Sequence, residues 1–106
     1  MLIRGAGVLP EVGGHGQIKQ VLLRGGLVPG VTQIATATLD TDVEGHSHST
    51  MTEIFYILEG KAEYIIGADR HAATTGDLVV VPAGVPHSVT LIESPHRIFY
   101  WGLAAD

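Results

Sequence analysis

Short runs of apolar and β-branched residues, each closed by glycine or proline, form the dominant pattern along the chain. Leu2-Ile3-Arg4 has the length of a first strand, ended by Gly5-Ala6-Gly7, and Pro10 to Gly16 is a glycine-dense loop. Gln17 to Arg24 is ambiguous by periodicity, but Gly13-Gly14 and Gly25-Gly26 bound it at strand length. Pro29-Gly30 marks a turn, and Thr32 to Leu39 then alternates β-branched or apolar residues with small ones, as strands do. Asp40 to Glu44 reads as an acidic loop. Glu53 to Glu59 is a strand with apolar residues on both faces. Gly60 follows as a turn, and Ala62 to Ile66 returns as its hairpin partner. His71 to Thr75 and Leu78 to Val81 are two further short strands, the second stopped by Pro82 and Gly84. Pro86 to Leu91 and Arg97 to Leu103 close the series, with Glu93-Ser94-Pro95-His96 as the loop between them.

No stretch keeps a helical period over three turns, and no repeat or linker stands out. Many short strands spaced by turn signals predict an all-β domain, a sandwich or a barrel. Strands apolar on both faces need cover on both sides. One face would fill the interior, and the other would meet a second sheet or another subunit, so a homodimer is expected.

Composition narrows this picture. A chain of 106 residues, 45% hydrophobic, is the size of one domain (residues 1–106) and can bury a core without staples. The formal charge of −5 and the isolation of the six Lys and Arg from one another weigh against a nucleic-acid partner. The absence of cysteine excludes disulfides, thiolate metal sites and cysteine nucleophiles. Met1 to Pro10 lacks the continuous apolar run of a signal peptide, and no run approaches a membrane span. The expectation is a soluble, cytoplasmic protein without a membrane partner.

The candidate chemistry lies in two stretches. In the first, His46 and His48 precede the apolar strand that carries Glu53. Two residues apart in an extended chain, the imidazoles would point to one face. Imidazole suits Zn, Cu, Fe and Ni, and carboxylate suits Mn and Mg, so a mixed set on one face is a candidate transition-metal site. The second stretch, Gly76 to His87, ends on a third imidazole after Pro82, Gly84 and Pro86. His15, His71 and His96 are expected to be solvent-exposed or in packing, and Glu59 to be solvated. Phe55 and Ile57 share the parity of Glu53 and are expected to line an apolar pocket, with Met51 as a further candidate beside the ligand loop. Ile54, Tyr56 and Leu58 have the opposite parity and fit an outer or subunit-contact face. Tyr100 and Trp101 are candidates for core or interface.

Taken together, the two stretches resemble the cupin superfamily, small β-barrels of jelly-roll type. The first family motif is matched by His46-x-His48, four residues, Glu53, six residues and Gly60. The second is matched in register by Gly76, Pro82, Gly84 and His87. Two positions depart: Asp40 stands where a glycine precedes the first motif, and Leu91 where an asparagine ends the second. Neither is a metal ligand in the family. The resemblance implies that His46, His48, Glu53 and His87 hold one divalent transition metal per chain (Fe, Mn, Ni, Zn, Co or Cu) inside the barrel.

Four protein ligands of an octahedral set leave two cis positions for water, substrate or O2. The leading expectation is a metal-dependent oxidoreductase of the dioxygenase type, acting on a small organic molecule. The alternatives are a redox-neutral isomerase, lyase or cyclase using the metal as Lewis acid, and a non-catalytic small-molecule-binding module. The substrate is left open, since no Arg or Lys is clearly placed by the sequence to hold a carboxylate or phosphate.

Overall fold

The computed structural model of the chain describes residues 1–105. A 3-10 turn at Gly5–Gly7 is followed by strands β1 (Glu11–Val12), β2 (Ile18–Arg24), β3 (Val31–Leu39), β4 (Val43–His46), β5 (Met51–Ile66), β6 (Asp69–Thr74), β7 (Leu78–Val81) and β8 (His87–Ala104). All pairings between them are antiparallel.

The architecture turns on the two long strands, β5 of 16 residues and β8 of 18. They pair along almost their whole length and bend at one shared place. Between the partners Glu59↔Arg97 and Lys61↔Glu93, β5 has Gly60 alone while β8 has Ser94, Pro95 and His96. Unequal residue counts across a ladder bend and twist it. The bend divides the pairing into two sheets. One runs β1-β2-β3-β8-β5-β7 through residues 97–104 of β8 and 51–59 of β5. The other runs β4-β8-β5-β6 through residues 87–93 and 61–66. Strands that pass from one sheet to the other through bulges make the corners of such sandwiches.

The inner faces close on one another by alternation. Ala35, Ala37 and Leu39 of β3 are buried, and the residues between them are half-buried. The small alanines stand opposite Tyr100 and Ile98 of β8, so a large side chain meets a small one in each row. The expected all-β jelly-roll barrel is the observed fold.

Several boundaries differ from the sequence reading. Gly60 does not end a hairpin; it is a bend within β5, at φ +80°. A Cβ there would run into the Pro95 carbonyl oxygen and come within 2.6 Å of the Glu93 carbonyl oxygen, so glycine is what lets the two bends nest. Glu93 to His96 lies inside β8 rather than in a loop between two strands. Leu2 to Arg4 is not a strand: Leu2 is exposed, and nothing pairs with it before the 3-10 turn. Glu11–Val12 makes a two-residue strand inside the expected loop, because it finds Lys19 and Ile18 as partners. The end of the acidic stretch, from Val43, becomes β4, held by burial of Val43 opposite Val89. Among the described residues, no helix is long and apolar enough to cross a membrane.

Candidate metal centre

His46 closes β4, and its partner across the ladder is His87, the first residue of β8. Glu53 stands on the first half of β5, opposite Val81 and Gly102. His48 lies beyond the end of β4, so the shared-face argument for the His46–His48 pair does not apply; a loop delivers it instead. That loop is tied to the one leading into β8. The Gly84 N–H donates to the His48 carbonyl at 2.7 Å, and the Ala83 N–H donates to the Thr52 hydroxyl at 3.2 Å. The two sequence stretches are thus stitched together by the segment that Pro82 and Gly84 shape.

The result is a compact cluster. One ligand atom from each of His46, His48, Glu53 and His87 lies within 4.8 Å of the others. His48 Nε2 is 3.0 Å from Glu53 Oε1, and His87 Nε2 is 3.6 Å from the same oxygen. Glu53 and His87 are buried, while His46 and His48 are half-buried. His46 Nδ1 is 2.8 Å from the Glu44 carbonyl oxygen, and His87 Nδ1 is 3.1 Å from that of Val85. A carbonyl only accepts, so Nδ1 carries the proton in both rings and Nε2 offers its lone pair to the cluster.

Whether these residues fit a metal ion can be tested at His87. At 3.6 Å, Glu53 is too far to be a hydrogen-bond partner, and the buried Nε2 has no other among the described residues. An orphaned buried nitrogen costs about 1–3 kcal/mol, and a cation at the cluster centre would satisfy it. Adjacent ligands of an ion held at ~2.1 Å stand about 3 Å apart, close to the His48–Glu53 separation. The cluster can therefore hold a divalent ion.

The electrostatics agree. Burial lowers the pKa of His48, against the pull of the Glu53 carboxylate, which favours the neutral, ligating form. Burial also pulls His87 down, but the Glu53 carboxylate and the Val85 carbonyl outweigh it, and the net shift is upward. Protons and metal therefore compete at His87.

The cluster forms part of the wall of a cavity of about 240 Å³. Phe55 and Met51 line it. Ile57 is fully buried and is not part of that lining; it packs in the core. Tyr100 lines the cavity, and burial, followed by the Glu53 and Glu11 carboxylates, pushes its phenol up to about 12. Ile54 is half-buried, and Tyr56 and Leu58 are exposed on the opposite face.

Two further histidines take up the expected exposed or packing positions, and one lysine departs from the sequence reading. His15, on the β1–β2 connection, stacks on His46 with ring centroids 4.1 Å apart and lines the cavity mouth. Its pKa is lowered by burial and by the imidazoles of His46 and His48. Lys19 also lines the cavity, so a cation is placed there after all. The signal in the sequence was its parity with Val21, hidden by the uncertain period of that segment. His96 takes the packing alternative and is fully buried. The Tyr64 hydroxyl donates to its Nε2 at 2.7 Å, and its Nδ1–H donates to the Glu59 carbonyl at 3.2 Å. Glu59 itself is exposed as expected, beside Arg97, and so is His71.

The chain also resembles known proteins. The cupin domain family matches residues 37–99, more than half its length. An uncharacterized protein of Methanocaldococcus jannaschii, MJ1618, is 29% identical over 85 residues, spanning 77% of this chain and 68% of that one. Among solved structures, a predicted oxalate decarboxylase from Thermotoga maritima superposes with a TM-score of 0.85 at 20% identity, covering 99% of this chain and all of the other. KdgF from a Halomonas species gives 0.83 at 14% identity, covering 100% and 94% of the two chains. Streptomyces PAC13, solved with uridine, gives 0.81 at 13% identity, covering 100% and 83%. At such identities, the structural likeness carries the fold and not the reaction.

Proposed function

The chain belongs to the cupin family, and from that premise we propose that it is a metal-dependent oxidoreductase of the dioxygenase type, acting on a small organic substrate within the barrel. One observation carries this reading. Four donor residues, three imidazoles and one carboxylate, converge on the wall of a cavity whose other walls are largely apolar. A divalent transition metal held there supplies Lewis-acid polarisation and, where it is redox-active, a path for electrons between substrate and O2.

The chain's own residues do the rest. His46, His48, Glu53 and His87 would hold the ion, beside the cavity that would take the substrate. Phe55, Ile98 and Val89 keep the cavity wall dry, which strengthens polar contacts made inside it. Tyr100 stays protonated at neutral pH and can donate a hydrogen bond to a substrate oxygen. Anaerobic loading with Fe(II), followed by O2 in the presence of enolisable diketones or catechols, should give substrate-dependent O2 uptake. No uptake with any of them removes the reading.

Tyr100 also favours a second reading, a redox-neutral lyase, isomerase or cyclase. A phenol held protonated beside a Lewis acid can donate a hydrogen bond to charge developing on a substrate oxygen, which needs no redox step. Turnover with Zn(II) or Ni(II), unchanged by removing O2, would mark that chemistry. Saturable binding without turnover would mark a binding module.

We also propose that the protein works as a homodimer. Tyr56, Leu78 and Val80 are 41%, 57% and 48% exposed on the outer face of the β5–β7 pair. Ile54 and the half-buried Trp101 extend the same apolar row onto β8. A second copy of the chain is the partner that would cover such a face.

A further inference from the structure

The cavity wall carries a cationic side chain as well as the metal cluster. Of the residues lining it among those described, Lys19 is the one lysine or arginine and Glu53 the one carboxylate. Lys19 on β2 is paired with Ala37 on β3, and Ala37 in turn with Ile98 on β8. Residues directly opposite across antiparallel strands share a face. Ala37 and Ile98 are both buried and both line the cavity, so the lysine belongs to the inner row. It is half-buried. Its partner across the β1–β2 ladder is Glu11, whose carboxylate is taken up by Arg24, and among the described residues no carboxylate comes within ion-pair distance of Lys19 itself. Gln33 lies on the inner face as well, in the row that leads through Gly102 to Glu53.

The charge of this cavity is opposite to that of the protein. The chain carries −5 overall. With a divalent ion held by neutral imidazoles and the single Glu53 carboxylate, the cavity with Lys19 carries about two excess positive charges. A half-buried ammonium with no ion pair of its own gains from an anion brought to it, and low-dielectric walls focus the field on whatever enters. The volume of about 240 Å³ is smaller than the ~300–1,000 Å³ of sites for drug-sized ligands.

We propose that this cavity takes a small organic dianion, with one chelating carboxylate end at the metal cluster and a second carboxylate on the Lys19 ammonium. The proposal rests on the metal-centre reading above and adds to it the class of substrate and the residue that selects it.

The test uses the full chain loaded with Co(II). The visible absorption of the cobalt reports binding, and elemental analysis reports metal content. Three 2-hydroxy acids serve as probes. Lactate has only the chelating end, whereas malate and 2-hydroxyglutarate carry a second carboxylate at two distances from it. At low ionic strength, at least one dicarboxylate should bind roughly tenfold or more tighter than lactate, the worth of one charge-assisted pair. Lys19→Met should abolish that preference while leaving cobalt content unchanged and lowering lactate affinity far less than dicarboxylate affinity, and Lys19→Arg should restore part of it. Lys19→Gln serves if Lys19→Met does not fold. Dicarboxylates that bind no tighter than lactate, or a preference that survives removal of the ammonium, overturn the proposal. Failure of the wild-type chain to take up cobalt overturns the metal reading and this one with it. Cobalt uptake without dicarboxylate preference overturns this one alone.

Discussion

The proton on His87 Nδ1 decides how the ring can act. Donated to the Val85 carbonyl, it leaves Nε2 buried, unpaired and aimed at Glu53. Removing either group should therefore empty the site. Elemental analysis of untagged protein should give close to one metal per chain, falling to almost none in His87→Ala and Glu53→Ala. Metal uptake should also depend on pH with a definite sign. The pKa of His87 is raised in the metal-free protein, so a proton occupies Nε2 more readily than on a free imidazole. Affinity should be greatest above about pH 7 and fall steadily toward pH 5.5, as followed by competition with a chromophoric chelator. His96 gives the opposite kind of dependence, in stability. Burial lowers its pKa, so the folded state favours the neutral ring. Its contribution is fully present above the ordinary value of about 6.5 and is lost as pH falls below it, because the unfolded chain then takes up the proton more readily. The melting temperature of the wild type should fall below pH 6.5 more steeply than that of His96→Gln. Tyr64→Phe, which orphans the His96 acceptor, should cost about 1–3 kcal/mol at neutral pH in urea denaturation.

At the scale of the element, the paired bend in β5 and β8 does the work of a corner. Gly60 sits at φ +80°, close against the carbonyls of Glu93 and Pro95. An alanine there meets both a disfavoured backbone conformation and two backbone oxygens that have no rotamer to yield. Gly60→Ala should destabilise the domain by at least about 2 kcal/mol, measured by chemical denaturation. His96 lies at the same corner and holds the Glu59 carbonyl beside it, so damage there should add to the Gly60 effect less than independently. The corner also matters for chemistry, because it carries the first half of β5, with Glu53, away from the second half, with Tyr64.

For the whole molecule, the outer face of β7, β5 and β8 is the main unresolved demand of the sequence. Residues 54 to 58 alternate between a buried interior and an exposed apolar exterior. If a second copy covers that exterior, light scattering should give twice the chain mass for the wild type. Leu78→Glu and Tyr56→Glu should shift it toward the monomer without loss of β-sheet signal in circular dichroism. A wild-type monomer at micromolar concentration would remove the dimer.

The sequence alone determined what depends on local spacing. Glycine and proline punctuation marked an all-β chain, though it split the two long strands β5 and β8 into shorter pieces, and the intervals among His46, His48, Glu53, Gly60, Gly84 and His87 marked the cluster. Those intervals work because ligand delivery there is built from adjacent strands and a tight turn. Tertiary structure decided what depends on partners far along the chain. Whether Gly60 turns back or bends onward is settled by the three residues of β8 that it faces, and neither segment states this by itself. The inward parity of Lys19 needed the ladder with Ala37, and the reach of His15 to His46 needed a loop to fold over the barrel mouth. The opening pair of imidazoles was legible in the sequence. The cation beside them in the cavity was not, because a strand's alternation shows two faces and only packing says which of them is inside.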